Sequence, residues 1–177
     1  RALAVLPLFH VGGLCIQVLT TLAAGGTVRL QPRFDADAWF DDVAAWRPTT
    51  CLLVPAAMRA LIEHPRWTEA DLSSLHFINC GSQIVPRSLI EAFHARGVPV
   101  AQVYGATETG PVTLVLRPGD ALAHVGSVGK PALGVQVRLV NGEVQVRAPN
   151  LARGYHRRQN DEAFAEGWFR SGDLALI

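Results

Sequence analysis

Three short polar segments follow predicted β-strands; each contains glycine or hydroxyl residues, and two of them also carry a ring or an acid. They are "PLFHVGG" at residues 7–13, "NCGSQ" at residues 79–83 and "YGATE" at residues 104–108. In an open parallel sheet, ligands bind beyond the carboxyl ends of the strands, and glycine lets a ligand approach the backbone closely. Three such segments at one sheet edge predict a binding cleft.

Four side chains in these segments have types that suit chemistry. Glu108 is the only charged residue in the stretch 97–116, and it could hold Mg²⁺, which takes oxygen ligands and often shares them with phosphate; alternatively it is a solvent-exposed loop residue. Thr107 could donate to a phosphate oxygen or belong to an ordinary turn. Tyr104 could stack on a flat ring or pack in the core, and His10 could lie beside a substrate carboxylate or be an ordinary loop histidine.

The elements that position these segments are predicted from apolar runs and helical periodicity. Short runs rich in Val, Leu and Ile predict buried strands at residues 2–6, 27–30, 50–54, 75–79 and 99–104. Helical patterns lie between them, with Asp35 as an N-cap, Pro55 at a first helical position and Gly97 at a helix end, besides an apolar helix near residues 14–24. This alternation predicts an α/β fold, a parallel sheet with flanking helices.

The pattern changes after Gly110. Clear helical patterns end there, and alternating residues on either side of Asn141-Gly142 predict a β-hairpin with a type I′ turn. We therefore expect an α/β subdomain at residues 1–112, followed by a smaller, mostly antiparallel β subdomain at residues 113–177.

Composition excludes several classes of function. The 177 residues are 49% hydrophobic and 18% charged, which is a globular composition. A net charge of +1 gives no electrostatic reason to expect a nucleic-acid partner, and no apolar run is long enough to predict a transmembrane segment. The three cysteines form no CxxC pair, so we expect buried, reduced thiols in a cytoplasmic protein rather than a metal site built from Cys or His.

The glycine-rich segment "GSVGKPALG" at residues 126–134 fails as a phosphate-binding Walker A loop. That loop needs glycine where this chain has His124, and serine or threonine where it has Pro131. The GxGxxG and GxSxG patterns are also absent.

Four stretches in order resemble the adenylate-forming superfamily of acyl- and aryl-CoA synthetases, peptide-synthetase adenylation domains and beetle luciferases. "PLFHVGG" is similar to its substrate-side loop, "NCGSQIVP" to its glycine-rich adenine loop and "VYGATETG" to its tyrosine–glycine–threonine–glutamate motif. The long segment "GEVQVRAPNLARGYHRRQNDEAFAEGWFRSGDLA" resembles the signature that ends in a ribose-binding aspartate. The resemblance covers essentially the whole chain.

The resemblance implies a two-step reaction with ATP, Mg²⁺ and a small-molecule carboxylic acid. The acid attacks the α-phosphate to give acyl-adenylate and pyrophosphate, and a thiol, usually that of coenzyme A, then displaces AMP. By resemblance, the metal ligand is Glu108, and the other catalytic residues are Thr107 at the α-phosphate and His10 beside the acyl carboxylate. The nucleotide-binding residues implied in the same way are Gly81, Ser82, Gln83, Tyr104, Gly105 and Asp173.

Two parts of the family pattern are not found in this sequence, namely the phosphate loop that precedes "PLFH" and the C-terminal domain that carries a catalytic lysine. Because the chain begins at Arg1 and ends within an apolar run, we interpret it as an internal piece of a longer protein. We expect the isolated piece not to form adenylate at a useful rate.

The resemblance leaves the acid open. No acidic residue precedes Asp35, so the ammonium of an amino acid would lack a partner, and an unpaired buried charge is costly. This disfavours a peptide-synthetase domain and favours a fatty acid, with an aryl acid or o-succinylbenzoate as the alternative. A non-catalytic nucleotide- or acyl-binding module is a further alternative.

Overall fold

The computed structural model describes residues 1–157 and 162–176, and its larger sheet has seven strands. Their order is β2-β1-β3-β4-β5-β6-β7. The strands are β1 (Ala2–Ala4), β2 (Val28–Leu30), β3 (Thr50–Leu53), β4 (Phe77–Cys80), β5 (Val100–Tyr104), β6 (Leu114–Val115) and β7 (Lys130–Pro131). Strands β1 to β5 are parallel, whereas β6 and β7 are antiparallel. The predicted parallel sheet is confirmed.

Helices connect the parallel strands as the periodicity predicts. They are α1 (Thr20–Ala23), α2 (Ala36–Trp46), α3 (Pro55–Ile62) and α4 (Arg87–Ala95). The Asp35 carboxylate accepts a hydrogen bond of 2.9 Å from the Ala38 amide, so it caps α2 as expected. Pro55 opens α3, where its missing N–H costs no helical hydrogen bond.

A π-helix at Gly12–Leu19 precedes α1, where the sequence predicts an ordinary apolar helix. The buried Gln17 side chain in this helix donates to the Leu3 carbonyl at 3.0 Å, which ties the helix to β1. A Cβ at Gly13 would lie 2.7 Å from the Leu6 carbonyl oxygen, so glycine allows the helix to start tightly against the chain that leaves β1.

The smaller sheet has four antiparallel strands in the order β10-β11-β9-β8. They are β8 (Gln136–Val140), β9 (Glu143–Arg147), β10 (Phe164–Ala165) and β11 (Trp168–Leu174). Asn141 and Gly142 have φ of 53° and 83°, as the type I′ turn requires, so the predicted hairpin is confirmed.

The change of sheet falls later in the chain than residue 112. Strands β6 and β7 extend the larger sheet as far as Pro131, and the antiparallel sheet begins at Gln136. The division into subdomains at residues 1–112 and 113–177 stays a prediction. Of the long segment that resembles the family signature, residues 158–161 lie outside the described residues, as does Ile177.

The main hydrophobic core lies between the larger sheet and its helices. Its largest fully buried side chains include Trp39, Phe40, Met58 and Phe93. Two of the cysteines confirm the expected burial, and burial raises the pKa of the Cys51 and Cys80 thiols to about 12; Cys15 is only partly buried. Among the described residues, no helix is both long and apolar enough to cross a membrane. The cytoplasmic location stays a prediction.

Candidate functional site

A cavity of about 420 Å³ opens at the carboxyl ends of the parallel strands. Four connections line it, those that follow β1, β3, β4 and β5, together with one side of the π-helix. Its lining residues from the predicted site are His10, Gly81, Ser82, Gly105 and Thr107. The sheet therefore brings together three segments that are far apart in sequence, as the rule for open parallel sheets predicts.

The glycines of the site lie where there is no room for a side chain. A Cβ at Gly81 would be 2.8 Å from Val103 Cγ2 and closer still to the Val103 carbonyl oxygen. A Cβ at Gly105 would be 2.5 Å from the Pro111 carbonyl oxygen. Ser82 follows with a φ of 72°, which a residue with a side chain rarely adopts. The backbone is thus turned sharply at the cavity edge.

His10 lines the cavity from the connection after β1. Its Nδ1 accepts a hydrogen bond of 3.1 Å from the Gly12 amide at the start of the π-helix. In the neutral ring, an accepting Nδ1 places the proton on Nε2. His10 can therefore donate a hydrogen bond from Nε2, and it is exposed enough to reach a carboxylate in the cavity.

Tyr104 does not line the cavity, because successive side chains of a strand point to opposite faces and its neighbour Val103 faces the cavity. Its hydroxyl donates a 2.7 Å hydrogen bond to the Asp173 carboxylate. Burial raises the pKa of Tyr104 to about 12, and the Asp173 carboxylate also favours the protonated phenol. Two predicted nucleotide-binding residues, 69 positions apart, thus form a direct pair.

The turn before Asp173 is fixed by Glu143, at the start of β9. The Glu143 carboxylate accepts from the Gly172 amide at 3.2 Å and pairs with Arg170 at 3.3 Å. The pKa of Glu143 is lowered, first by the hydrogen bond from Gln145 and then by these two groups. Ser171 Oγ accepts from the Asp173 amide at 3.1 Å. Asp173 therefore projects from an ordered bend.

Thr107 and Glu108 lie in a short 3₁₀ helix, Thr107–Thr109, directly after β5. The buried Thr109 holds this turn, since its Oγ1 accepts from the Ala106 amide at 3.0 Å and from Thr113 Oγ1 at 2.8 Å. Thr107 is exposed at the cavity edge. Its hydroxyl is therefore available to an external ligand.

Glu108 is not among the residues that line the cavity, and its carboxylate accepts a hydrogen bond from Tyr155. The Tyr155 hydroxyl donates to Glu108 Oε1 at 2.7 Å, a contact that sequence reasoning missed. Among the described residues, Glu108 forms no ion pair, and no cluster of three His, Cys, Asp or Glu residues could hold a metal alone. A single carboxylate fits Mg²⁺, which commonly uses one or two carboxylates with water and substrate phosphates.

The predicted residues thus fall into an apolar cavity and two polar pairs beside it. Gln83 joins neither group. It is exposed, and the cavity lining includes Gly81 and Ser82 but not Gln83. Within residues 1–157 and 162–176, no Lys or Arg lines the cavity. Its described residues therefore provide no cation to offset the charge of a triphosphate.

Comparison with known proteins identifies relatives along the whole chain. Residues 1–156 match the family model described as AMP-binding enzyme. The chain is 46% identical to an indoleacetate–CoA ligase of Aromatoleum aromaticum, covering 98% of this chain and 37% of that protein. It is 39% identical to a feruloyl-CoA synthase of Amycolatopsis sp, covering 100% of this chain and 39% of that protein. The chain spans less than two fifths of the length of these relatives.

Solved structures agree with this match. The N-terminal domain of FACL13 from Mycobacterium tuberculosis has a TM-score of 0.89 at 30% identity, covering 98% of this chain and 47% of that one. O-succinylbenzoate coenzyme A synthetase (MenE) from Bacillus subtilis, in complex with ATP and magnesium ion, has a TM-score of 0.85 at 30% identity, covering 98% and 38%. The chain therefore belongs to the AMP-binding enzymes of the adenylate-forming superfamily.

Proposed function

We propose that the full-length protein is an AMP-forming acid–CoA ligase that activates an aromatic carboxylic acid. The observation that carries the proposal is the cavity at the strand ends, which has mainly apolar walls, His10 on one side and Thr107 at its edge. The proposal concerns the full-length protein because this chain spans only 37% and 39% of the two ligases it was compared with.

In the first step, a carboxylate oxygen of the acid attacks the α-phosphorus of ATP, and the bond to pyrophosphate breaks. The Thr107 hydroxyl donates to an α-phosphate oxygen, and the Nε2–H of His10 orients the acid. Glu108 is the residue that would hold Mg²⁺, which when bound offsets charge on the phosphates. In the second step, the sulfur of coenzyme A attacks the acyl carbon, AMP leaves and the thiol proton passes to solvent.

The polar pair of Tyr104 and Asp173 serves the nucleoside. The Asp173 carboxylate accepts hydrogen bonds from ribose hydroxyls, while the Tyr104 hydroxyl, 2.7 Å from it, keeps the carboxylate oriented. The Tyr104 ring provides a flat face for adenine. Gly81 and Gly105 complete the site by letting its backbone pack directly against Val103 and the Pro111 carbonyl, which fixes the shape of the cavity edge.

The character of the cavity supports an acid without an ammonium group. His10 is the only ionisable side chain among the described residues that line it, so a buried ammonium would be left without a carboxylate partner. The sequence alone favours a fatty acid. The two sequence relatives described above are named for indoleacetate and ferulate, and their identities of 46% and 39% support an aromatic acid instead.

A substrate panel with the full-length protein tests the proposal. The protein is incubated with ATP, Mg²⁺, coenzyme A and one of indoleacetate, ferulate, 2-succinylbenzoate, medium- and long-chain fatty acids or phenylalanine, and acyl-CoA is measured by mass. We expect kcat/KM for an aromatic acid to exceed that for any fatty acid by about tenfold or more, as differential pocket binding allows. A preferred fatty acid would contradict the aromatic assignment, and no product with any acid would favour a non-catalytic binding module.

Matched carboxylate variants test the assignment of Glu108. Glu108→Gln should lower kcat/KM by about 100-fold, as loss of a group that stabilises transition-state charge does. Glu91→Gln is the control, because Glu91 is exposed on α4 and its one ion pair among the described residues is with Arg87, at 2.7 Å. Equal activity of the two variants would remove Glu108 from the catalytic machinery.

A further inference from the structure

The segment that follows β9 holds the turn that carries Glu108 at three points. The Ala152 amide donates to the Glu108 carbonyl at 2.7 Å, and Asn150 Nδ2 donates to the Thr109 carbonyl at 3.2 Å. The third contact is the hydrogen bond from the Tyr155 hydroxyl to Glu108 Oε1. We call residues 150–155 the clamp. Two of its contacts fix the backbone of the turn, and only that of Tyr155 reaches the carboxylate.

The contact between the clamp and the turn is close. Gly110, which ends the turn, has a φ of 70°, and a Cβ there would collide with the Asn150 side chain. Glycine at this position therefore allows the clamp to lie directly against the turn. Any remaining freedom at Glu108 lies in its own side-chain torsions, which the backbone contacts leave unrestrained.

We propose that Tyr155 is a positioning residue, which holds the Glu108 carboxylate in the orientation that binds Mg²⁺ together with the phosphates of ATP. The inference rests on the proposed function. Tyr155 occupies Oε1, and no described residue donates a hydrogen bond to Oε2, which is therefore left for the metal. Ligating carboxylates are commonly fixed by hydrogen bonds of this kind, whose loss weakens metal affinity or activity by about 10- to 100-fold.

The chemistry of the partner suits a metal ligand. A lysine or arginine at this position would neutralise Glu108 and compete with the cation, whereas a phenol donates a hydrogen bond and carries no charge. Glu108 forms no ion pair within residues 1–157 and 162–176. The hydrogen bond from Tyr155 therefore fixes the direction of the carboxylate without placing a positive charge beside it.

Aromatic contacts fix Tyr155 itself. Its ring packs edge to face against Phe164, with the ring centroids 5.6 Å apart, and Phe164 lies 5.0 Å from Phe169. Phe169 is buried in β11, opposite Val146 of β9. The hydroxyl that reaches Glu108 is thus carried by a row of rings anchored in the smaller sheet.

Two substitutions of Tyr155 in the full-length protein separate positioning from packing. Tyr155→Phe keeps the ring and removes the hydroxyl, whereas Tyr155→Leu removes both. Mn²⁺ is used as the probe, and its binding in the presence of a non-hydrolysable ATP analogue is measured by electron paramagnetic resonance. We expect both variants to bind Mn²⁺ about tenfold or more weakly than the wild type, with Tyr155→Phe retaining the thermal stability of the wild type.

Wild-type affinity for Mn²⁺ in Tyr155→Phe, with a loss only in Tyr155→Leu, would overturn the inference and leave Tyr155 a packing residue. Glu108→Gln serves as the reference for loss of the ligand. If Glu108→Gln binds Mn²⁺ as tightly as the wild type does, the proposed role of Glu108 fails, and the inference fails with it. If Tyr155→Phe binds Mn²⁺ as tightly as the wild type while Glu108→Gln does not, the inference about Tyr155 fails but the proposed function is unaffected.

Discussion

The close approach of β4 and β5 at the cavity edge makes Gly81→Ala a sharp test of the site's architecture. The added Cβ would lie 2.8 Å from Val103 Cγ2, well inside the 3.4 Å at which ordinary contact begins, and nearer still to a backbone oxygen. Valine has few alternative rotamers and the oxygen belongs to a strand, so the carboxyl ends of the two strands must separate. Overpacking of this kind costs about 1–3 kcal/mol.

The assay is urea denaturation of the full-length protein, with the KM for ATP measured in parallel. Gly119→Ala is the matched control, because a Cβ there meets no atom within 4 Å, and an open surface substitution changes stability by no more than about 0.5 kcal/mol. We expect Gly81→Ala to lower the free energy of unfolding and to raise the KM, since Gly81 and Val103 both line the cavity. Equal urea midpoints for the two variants would refute the reasoning.

Further predictions concern the cap of α2 and the Tyr104–Asp173 pair. Asp35→Ala should lower the free energy of unfolding by about 1 kcal/mol. Asp35→Asn can still accept from the Ala38 amide and should retain most of the stability that the cap provides. Equal losses of stability for the two variants in urea denaturation would contradict the role of Asp35 as a cap. Because the pKa of Tyr104 is raised from 10.0 to about 12, its contribution to stability is complete below pH 10 and is lost as the pH rises toward 12. In a spectrophotometric pH titration, the tyrosinate absorbance that wild type has and Tyr104→Phe lacks should therefore develop near pH 12. If that absorbance develops near pH 10, the pKa of Tyr104 is not raised. Asp173→Ala should move this ionisation to lower pH, because the carboxylate favours the protonated phenol.

Local sequence signals predict the elements that depend on local chemistry. The five parallel strands, the Asp35 cap and the hairpin at Asn141-Gly142 all lie where apolar runs, capping preference and turn preference place them. Because these features depend on neighbouring residues, one sequence is enough to find them. The convergence of three polar segments at one cavity then follows from the rule for parallel sheets.

Other features depend on distant partners and leave no local pattern. Strands β6 and β7 have two residues each, and they are strands because β6 pairs with the edge of β5 and β7 pairs with β6. In a π-helix each amide bonds to the carbonyl five residues earlier, whereas in an α-helix it bonds to the carbonyl four residues earlier. The spacing of apolar residues in Gly12–Leu19 does not distinguish the two. Tyr155 belongs to a segment that resembles the family signature, but its contact with Glu108 spans 47 residues.

Two of the hydrogen bonds between the region at the end of β5 and the C-terminal part of the chain, Tyr104 to Asp173 and Tyr155 to Glu108, have a consequence for folding. They span 69 and 47 residues, so each forms only after a long loop has closed. The buried residues of the main core lie between Leu3 and Val100, with Val125 packed against them, while the smaller sheet buries few apolar side chains. Partial opening of the smaller sheet would therefore disable the proposed nucleotide site without unfolding the larger sheet. A nucleotide that contacts both sheets would oppose this opening by mass action, so substrate would protect the part of the protein that is most easily lost.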